Sequence, residues 1–160
     1  RLREWELSFP LFTLGRNALH MTERFRQTLG AVLLATGAAW EGFDFPGDCV
    51  SLLVIPRLPF AYPDALKEKE REEYASLRQF IQNVAVPEMQ IKLRQGFGRA
   101  IRTESDTCVI AILDERASHG HRYYAAMREA LPDMRTTSSL RAVTKFLRER
   151  KPESYFEVDA

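Results

Sequence analysis

The chain has 160 residues with 23 basic and 22 acidic side chains, so its net charge of +1 exerts no global pull on a polyanion and any nucleic-acid contact must come from local patches. A hydrophobic fraction of 45 % beside 28 % charged residues excludes a disordered chain and suits one globular domain with a substantial core. The longest apolar runs, 31–35 and 52–56, fall far short of the ~20 residues of a membrane span, and the N-terminus lacks the basic-then-apolar layout of a secretory signal.

Residues 1–8 mix charges with Trp5 and Leu7 and read as an edge strand or a linker. The chain starts at Arg1 rather than Met, so it is expected to be a piece of something longer. Phe9–Leu14 is short and apolar, a strand. Over 18–28 the pattern predicts an amphipathic helix with Leu19, Met21 and Phe25 inward. Ala31–Thr36 and Val50–Pro56 are continuous apolar runs, as expected of strands buried on both faces. A helix is predicted over 64–84, with Leu66, Tyr74, Leu77, Ile81 and Val84 on one face. Pro87 is expected to start a second helix, where proline is tolerated. Cys108–Leu113 is a third buried strand, and helices follow near 120–131 and 138–150. Residues 151–160 form a polar tail expected to fray. Strands separated by helices imply an α/β domain with a mainly parallel sheet flanked by helices on both faces.

The two cysteines, Cys49 and Cys108, match no common zinc or iron–sulfur spacing. Each adjoins an apolar strand and reads as a buried free thiol, which suits a reducing, cytoplasmic setting. There is no phosphate-cradling GxxxxGK[ST] and no GxSxG. His119 and His121 are two apart, which on a helix would point them to different faces rather than to one metal. The basic residues Arg141, Lys145, Arg148, Arg150 and Lys151 read as a solvated helix face, with contact to a DNA backbone as the other reading.

Two segments stand out. Residues 35–48 (ATGAAWEGFDFPGD) follow a buried strand directly, and open parallel sheets bind ligands beyond the carboxyl ends of their strands. Small residues there let backbone amides approach a ligand, and Glu41 and Asp44 supply acceptors. An ordinary glycine-rich turn is the plain alternative. Residues 93–102 (LRQGFGRAIR) place Arg99 and Arg102 three apart, on one face if helical, with Gln95 a turn earlier. Guanidinium forks match phosphate oxygens, so this is a candidate phosphate clamp. The alternative is a surface pair bound to Glu104 or Asp106. Gly96 and Gly98 each cost a helix about 1 kcal/mol against alanine, which makes sense where the sheet packs closely or a ligand approaches.

Together the two segments resemble helicase motifs V and VI as they occur in DinG/XPD-type superfamily 2 helicases. Trp40-Glu41-Gly42 with Asp44 is similar to the family's motif V, and Gln95, Gly98, Arg99 and Arg102 match the Q-x-x-G-R-x-x-R of motif VI. LLVIPRLPFAYPDAL, TCVIAILDERA and YYAAMREALP resemble the family's intervening and following text, so the likeness covers roughly 30–132 in good register and 9–29 more weakly. A convincing motif IV is missing from 1–8.

The resemblance implies a RecA-like second motor domain over 1–150. An absent first domain would carry the phosphate-binding lysine, the acidic Mg²⁺ site and, in members that have one, a four-cysteine iron–sulfur cluster. ATP would lie between the two domains and single-stranded DNA would cross both, usually with 5′-to-3′ movement. By position, Arg102 would be the first choice for an arginine finger, with Arg99 and Gln95 in the same cleft. Glu41, Gly42, Asp44 and Gly98 would serve the nucleotide side, and Thr36 with the Gly37 backbone would face DNA phosphate. A non-catalytic scaffold or DNA clamp is the alternative, as is an unrelated anion-binding domain whose arginines only hold phosphate.

Overall fold

The structure is a computed structural model and describes residues 8–15, 18–36, 45 and 47–156. The described residues form two compact units, one within 1–51, 99–109 and 136–160, the other within 52–98 and 110–135.

The first unit opens with a strand–helix–strand motif: β1 (Leu11–Thr13), α1 (Ala18–Gln27) and β2 (Val32–Leu34). The strands pair in parallel, Leu11 beside Val32 and Thr13 beside Leu34. Main-chain bonds from Val32 to Pro10 (2.8 Å) and from Leu14 to Leu34 (2.9 Å) extend the ladder. Gly30, at φ 65°, makes the turn from α1 into β2, a conformation glycine adopts without steric cost. The inward stripe of α1 is Ala18, Met21, Thr22 and Phe25. Leu19 is 80 % exposed, contrary to the expectation that it shares a face with Met21. Two residues span about 200° of helix, so only one of the pair can face inward. Thr22 is buried, and its hydroxyl donates to the Ala18 carbonyl at 2.8 Å. The unit closes with α6 (Leu140–Arg150), capped by the Ser139 hydroxyl.

The second unit is built on β3 (Leu52–Ile55) and β4 (Val109–Ile112). Val109 bonds to Ser51 (2.9 Å) and Leu113 to Ile55 (3.0 Å), a forward step along both strands that marks a parallel pair. Burial of β3 alternates: Ile55 is 2 % exposed, but Leu52 and Val54 are 50 % and 45 % exposed. The expectation of a strand covered on both faces therefore fails for β3 within this chain.

Helix α2 (Ala65–Glu72) is capped by Asp64, whose carboxylate accepts the Lys67 N–H at 2.9 Å. It has no buried residue, and Leu66 is 74 % exposed. Lys67 pairs with Glu70 on the same helix (2.8 Å) and ties the helix to Glu88. The single helix expected over 64–84 is broken, because Ser76 takes an extended conformation and its hydroxyl caps α3 (Leu77–Phe80). From there a π-helical turn (Ile81–Ala85) runs straight into α4 (Val86–Ala100). Pro87 does not start a new helix. It lacks an N–H, and its ring would clash with a carbonyl one α-turn earlier. The widened turn, in which the Val86 N–H reaches back to Ile81, lets the helix pass it.

The core of this unit is Met89 and Leu93, both fully buried on α4, with Ile55, Leu58, Val84, Tyr123, Met127 and Ala130. Burial of each large apolar side chain contributes roughly 1.5–3 kcal/mol. Helix α5 (Tyr124–Ala130) packs beside α4, where the Gln90 amide donates to the Ala126 carbonyl at 2.9 Å. Arg94 reaches the Ala130 carbonyl at the carboxyl end of α5, the end that favours a cation.

Beyond β4, Asp114 is buried and anchors the loop after β3. Its carboxylate accepts the Leu58 N–H at 2.9 Å and a two-point bond from Arg116, at 2.9 and 2.7 Å. The Arg116 guanidinium lies over Phe60 (5.3 Å) and Tyr123 (5.7 Å), whose rings sit 4.8 Å apart.

Candidate functional site

The site begins with helix α4. Its last two turns carry Gln95, exposed, and Gly98 and Arg99, both half-buried. A methyl group built on Gly98 would meet no described atom within 4 Å. Among the described residues, close packing therefore does not explain this glycine.

The helix ends at Ala100, which is buried. Arg102 lies beyond it, so the two arginines are not on one helix face as the spacing suggested. Asp106 is the physical reason. Its carboxylate accepts the Arg102 N–H at 2.8 Å and the Thr103 N–H at 2.9 Å, and takes the Thr103 hydroxyl at 2.8 Å. The Asp106 N–H in turn bonds the Thr103 carbonyl at 3.2 Å, closing a tight turn. Hydrogen bonding to the Arg102 N–H, then to the Thr103 N–H and hydroxyl, holds the Asp106 carboxyl below the usual carboxylate range. Arg102 itself is exposed on a main chain fixed at its own N–H.

Thr36 lies two residues beyond the end of β2 and is exposed. Gly37, Glu41, Gly42 and Asp44 lie outside the described residues. The far end of the same segment is described. The Asp48 carboxylate accepts the Thr107 N–H at 2.7 Å and pairs with Lys151 at 2.5 Å, and the Lys151 ammonium also donates to the Thr107 carbonyl at 2.8 Å. Segment 35–48 is thus bonded to the loop that leaves segment 95–102.

Sequence reasoning missed the Asp48–Lys151 pair, and it offered Asp106 only as a surface partner of the arginine side chains, not as an acceptor for the Arg102 and Thr103 N–H groups. Lys151 was grouped with a solvated basic face, but its side chain is 2 % exposed. The start of the tail is accordingly fixed rather than frayed. Elsewhere on α6 the solvated picture holds for Lys145, exposed beside Glu149. No local signal marks Lys151, because its partners are distant in sequence.

Neither thiol is in a disulfide, both are half-buried rather than fully buried, and burial pushes Cys49 up from its ordinary value. His119 and His121 lie in turns ahead of α5, and the His119 ring meets the edge of Tyr124 at 5.1 Å. No helix among the described residues is long and apolar enough to cross a membrane.

A family described as the helicase C-terminal domain matches residues 6–134. An ATP-dependent DNA helicase YoaA of Haemophilus influenzae is 36 % identical over 132 residues, 81 % of this chain and 20 % of the relative. A 3′-5′ exonuclease DinG of Bacillus subtilis is 35 % identical over 127 residues, 76 % of this chain and 14 % of the relative. An ATP-dependent helicase DinG of Mycobacterium tuberculosis is 32 % identical over 145 residues, 89 % of this chain and 22 % of the relative. The chain spans about a fifth of the length of these two helicases. With a parallel α/β fold, a glycine- and arginine-bearing helix end and this match along most of its length, the chain belongs to the helicase C-terminal domain family, in its DinG-type branch.

Proposed function

We propose that this chain is the second motor domain of an ATP-dependent DNA helicase, with residues 1–150 as its RecA-like domain and 151–160 as a polar tail. The observation that carries the proposal is the end of α4. There a half-buried Arg99 sits on the last turn, and an exposed Arg102 starts a loop whose main chain Asp106 fixes. Two guanidinium groups three residues apart are a donor set that fits a polyphosphate.

In this role Arg102, assisted by Arg99, stabilises the charge that develops on the γ-phosphate of ATP. Gln95 lines the same cleft, and Gly98 leaves room for the nucleotide. The absent first domain holds the phosphates and Mg²⁺, so hydrolysis requires the two domains to close. Glu41, Gly42 and Asp44 link the nucleotide side to DNA, and Thr36 with the Gly37 backbone contacts the phosphates of single-stranded DNA. The parent protein works in the cytoplasm. This chain's two cysteines are fewer than the four thiolates an iron–sulfur cluster needs, so any cluster belongs to the rest of the parent.

Strand separation tests the proposal. The full-length parent is expected to unwind a duplex with a 5′ single-stranded overhang when ATP and Mg²⁺ are present, and to leave a duplex with only a 3′ overhang intact. Unwinding from the 3′ overhang overturns the polarity. DNA binding without ATP turnover favours a scaffold or clamp.

A further inference from the structure

Lysine is almost never fully buried unless paired. Lys151 meets that condition with two partners, the Asp48 carboxylate and the Thr107 carbonyl. Asp48 also accepts the Thr107 N–H, so both main-chain polar groups of Thr107 are held. At the other end of the same short loop, Asp106 holds the N–H groups of Arg102 and Thr103. The loop 102–107 is therefore fixed at both ends, and its first residue is Arg102. Lys151 lies outside the stretch matched to the family, 6–134.

We propose that Lys151 and Asp106 are positioning residues for Arg102: together they fix the loop from which Arg102 projects, and Lys151 joins that loop to the end of segment 35–48. The proposal rests on the arginine-finger reading. A charge-stabilising group displaced by about 1 Å can lose on the order of a hundredfold in rate, so the loop's rigidity has a direct consequence for turnover. Lys151→Met keeps the methylene stem and removes both bonds of the ammonium. Asp106→Ala releases the Arg102 and Thr103 N–H groups from a loop that forms no part of either core. Asp106→Asn keeps an acceptor oxygen for those two N–H groups.

The test is steady-state ATP hydrolysis by the full-length parent on single-stranded DNA, with Arg102→Ala measured alongside. Lys151→Met and Asp106→Ala are each expected to lower kcat by roughly tenfold to a hundredfold, with KM for ATP and DNA affinity within about threefold of the parent. Asp106→Asn is expected to recover most of the loss. In an Arg102→Ala background neither change should add a further decrease, because both act through the same group. Should Lys151→Met fail to fold, as thermal melting would show, Asp106→Ala decides. Full turnover in Asp106→Ala, when Arg102→Ala is inactive, overturns the positioning role and leaves the arginine finger intact. Unchanged turnover in Arg102→Ala overturns the finger itself, and the positioning role with it.

Discussion

Arg102→Ala in the full-length parent is expected to lower DNA-stimulated ATP turnover about a thousandfold or more, the usual worth of an arginine finger. The expectation follows from where the group sits. Arg102 is exposed, it starts a loop rather than ending a helix, and its own N–H is fixed by Asp106. Its side chain is exposed, so folding should survive its truncation, which thermal melting checks. If the phosphate-binding groups lie on a first domain, as proposed, nucleotide affinity should change by no more than a few fold. A selective loss of kcat is the signature of an interaction made only in the transition state. Arg102→Lys should recover little, because a point charge does not replace a planar fork. Stopped assays that separate nucleotide binding from hydrolysis check this. A large rise in KM with kcat intact would make Arg102 a binding residue instead.

Asp114→Ala is expected to have the largest effect on stability. The Asp114 side chain is 6 % exposed and serves three donors: the Leu58 N–H, the Arg116 N–H and the Arg116 guanidinium. Removing it leaves a buried N–H unpaired and an arginine without its carboxylate. Because Arg116 is half exposed, the cost is discounted from that of a fully buried pair to about 2–4 kcal/mol. For a chain of this size that lowers Tm by roughly 5–15 °C. The Arg116 guanidinium, with the Leu58 N–H, also holds the Asp114 carboxyl well below the usual carboxylate range. A carboxyl depressed in the folded state stabilises the fold at every pH above its unfolded value. That contribution should decline as the pH falls below about 4. Asp114→Asn should remove this part of the acid sensitivity. Melting curves between neutral and acidic pH check both points.

Much of this was legible in the sequence because local patterns carry it. The alternation of apolar runs with amphipathic stretches placed β1 to β4 and the main helices. The two segments proposed for chemistry stood out by residue type and spacing, and their expected roles came from the family resemblance. What escaped was set partly by local competition for backbone groups and partly by contacts between residues far apart in the chain. Ser76 breaks a continuous amphipathic pattern, because a hydroxyl cap locally outcompetes the helix. Pro87 signalled a helix start but is absorbed by a π-helical turn. The Arg99 and Arg102 spacing suggested one helical face, and Asp106 ends that pattern by capturing the next two N–H groups. Lys151 looked like a solvated cation, and only the fold brings Asp48 and Thr107 to it.

The most direct measurement is ATP hydrolysis by the isolated 160-residue chain, with Mg²⁺ and single-stranded DNA present. If Arg99 and Arg102 act on a nucleotide held by another domain, the isolated chain should release phosphate no faster than buffer. Robust turnover by the pure chain would mean that it carries a complete catalytic site of its own, and would contradict a division of the ATP site between two domains.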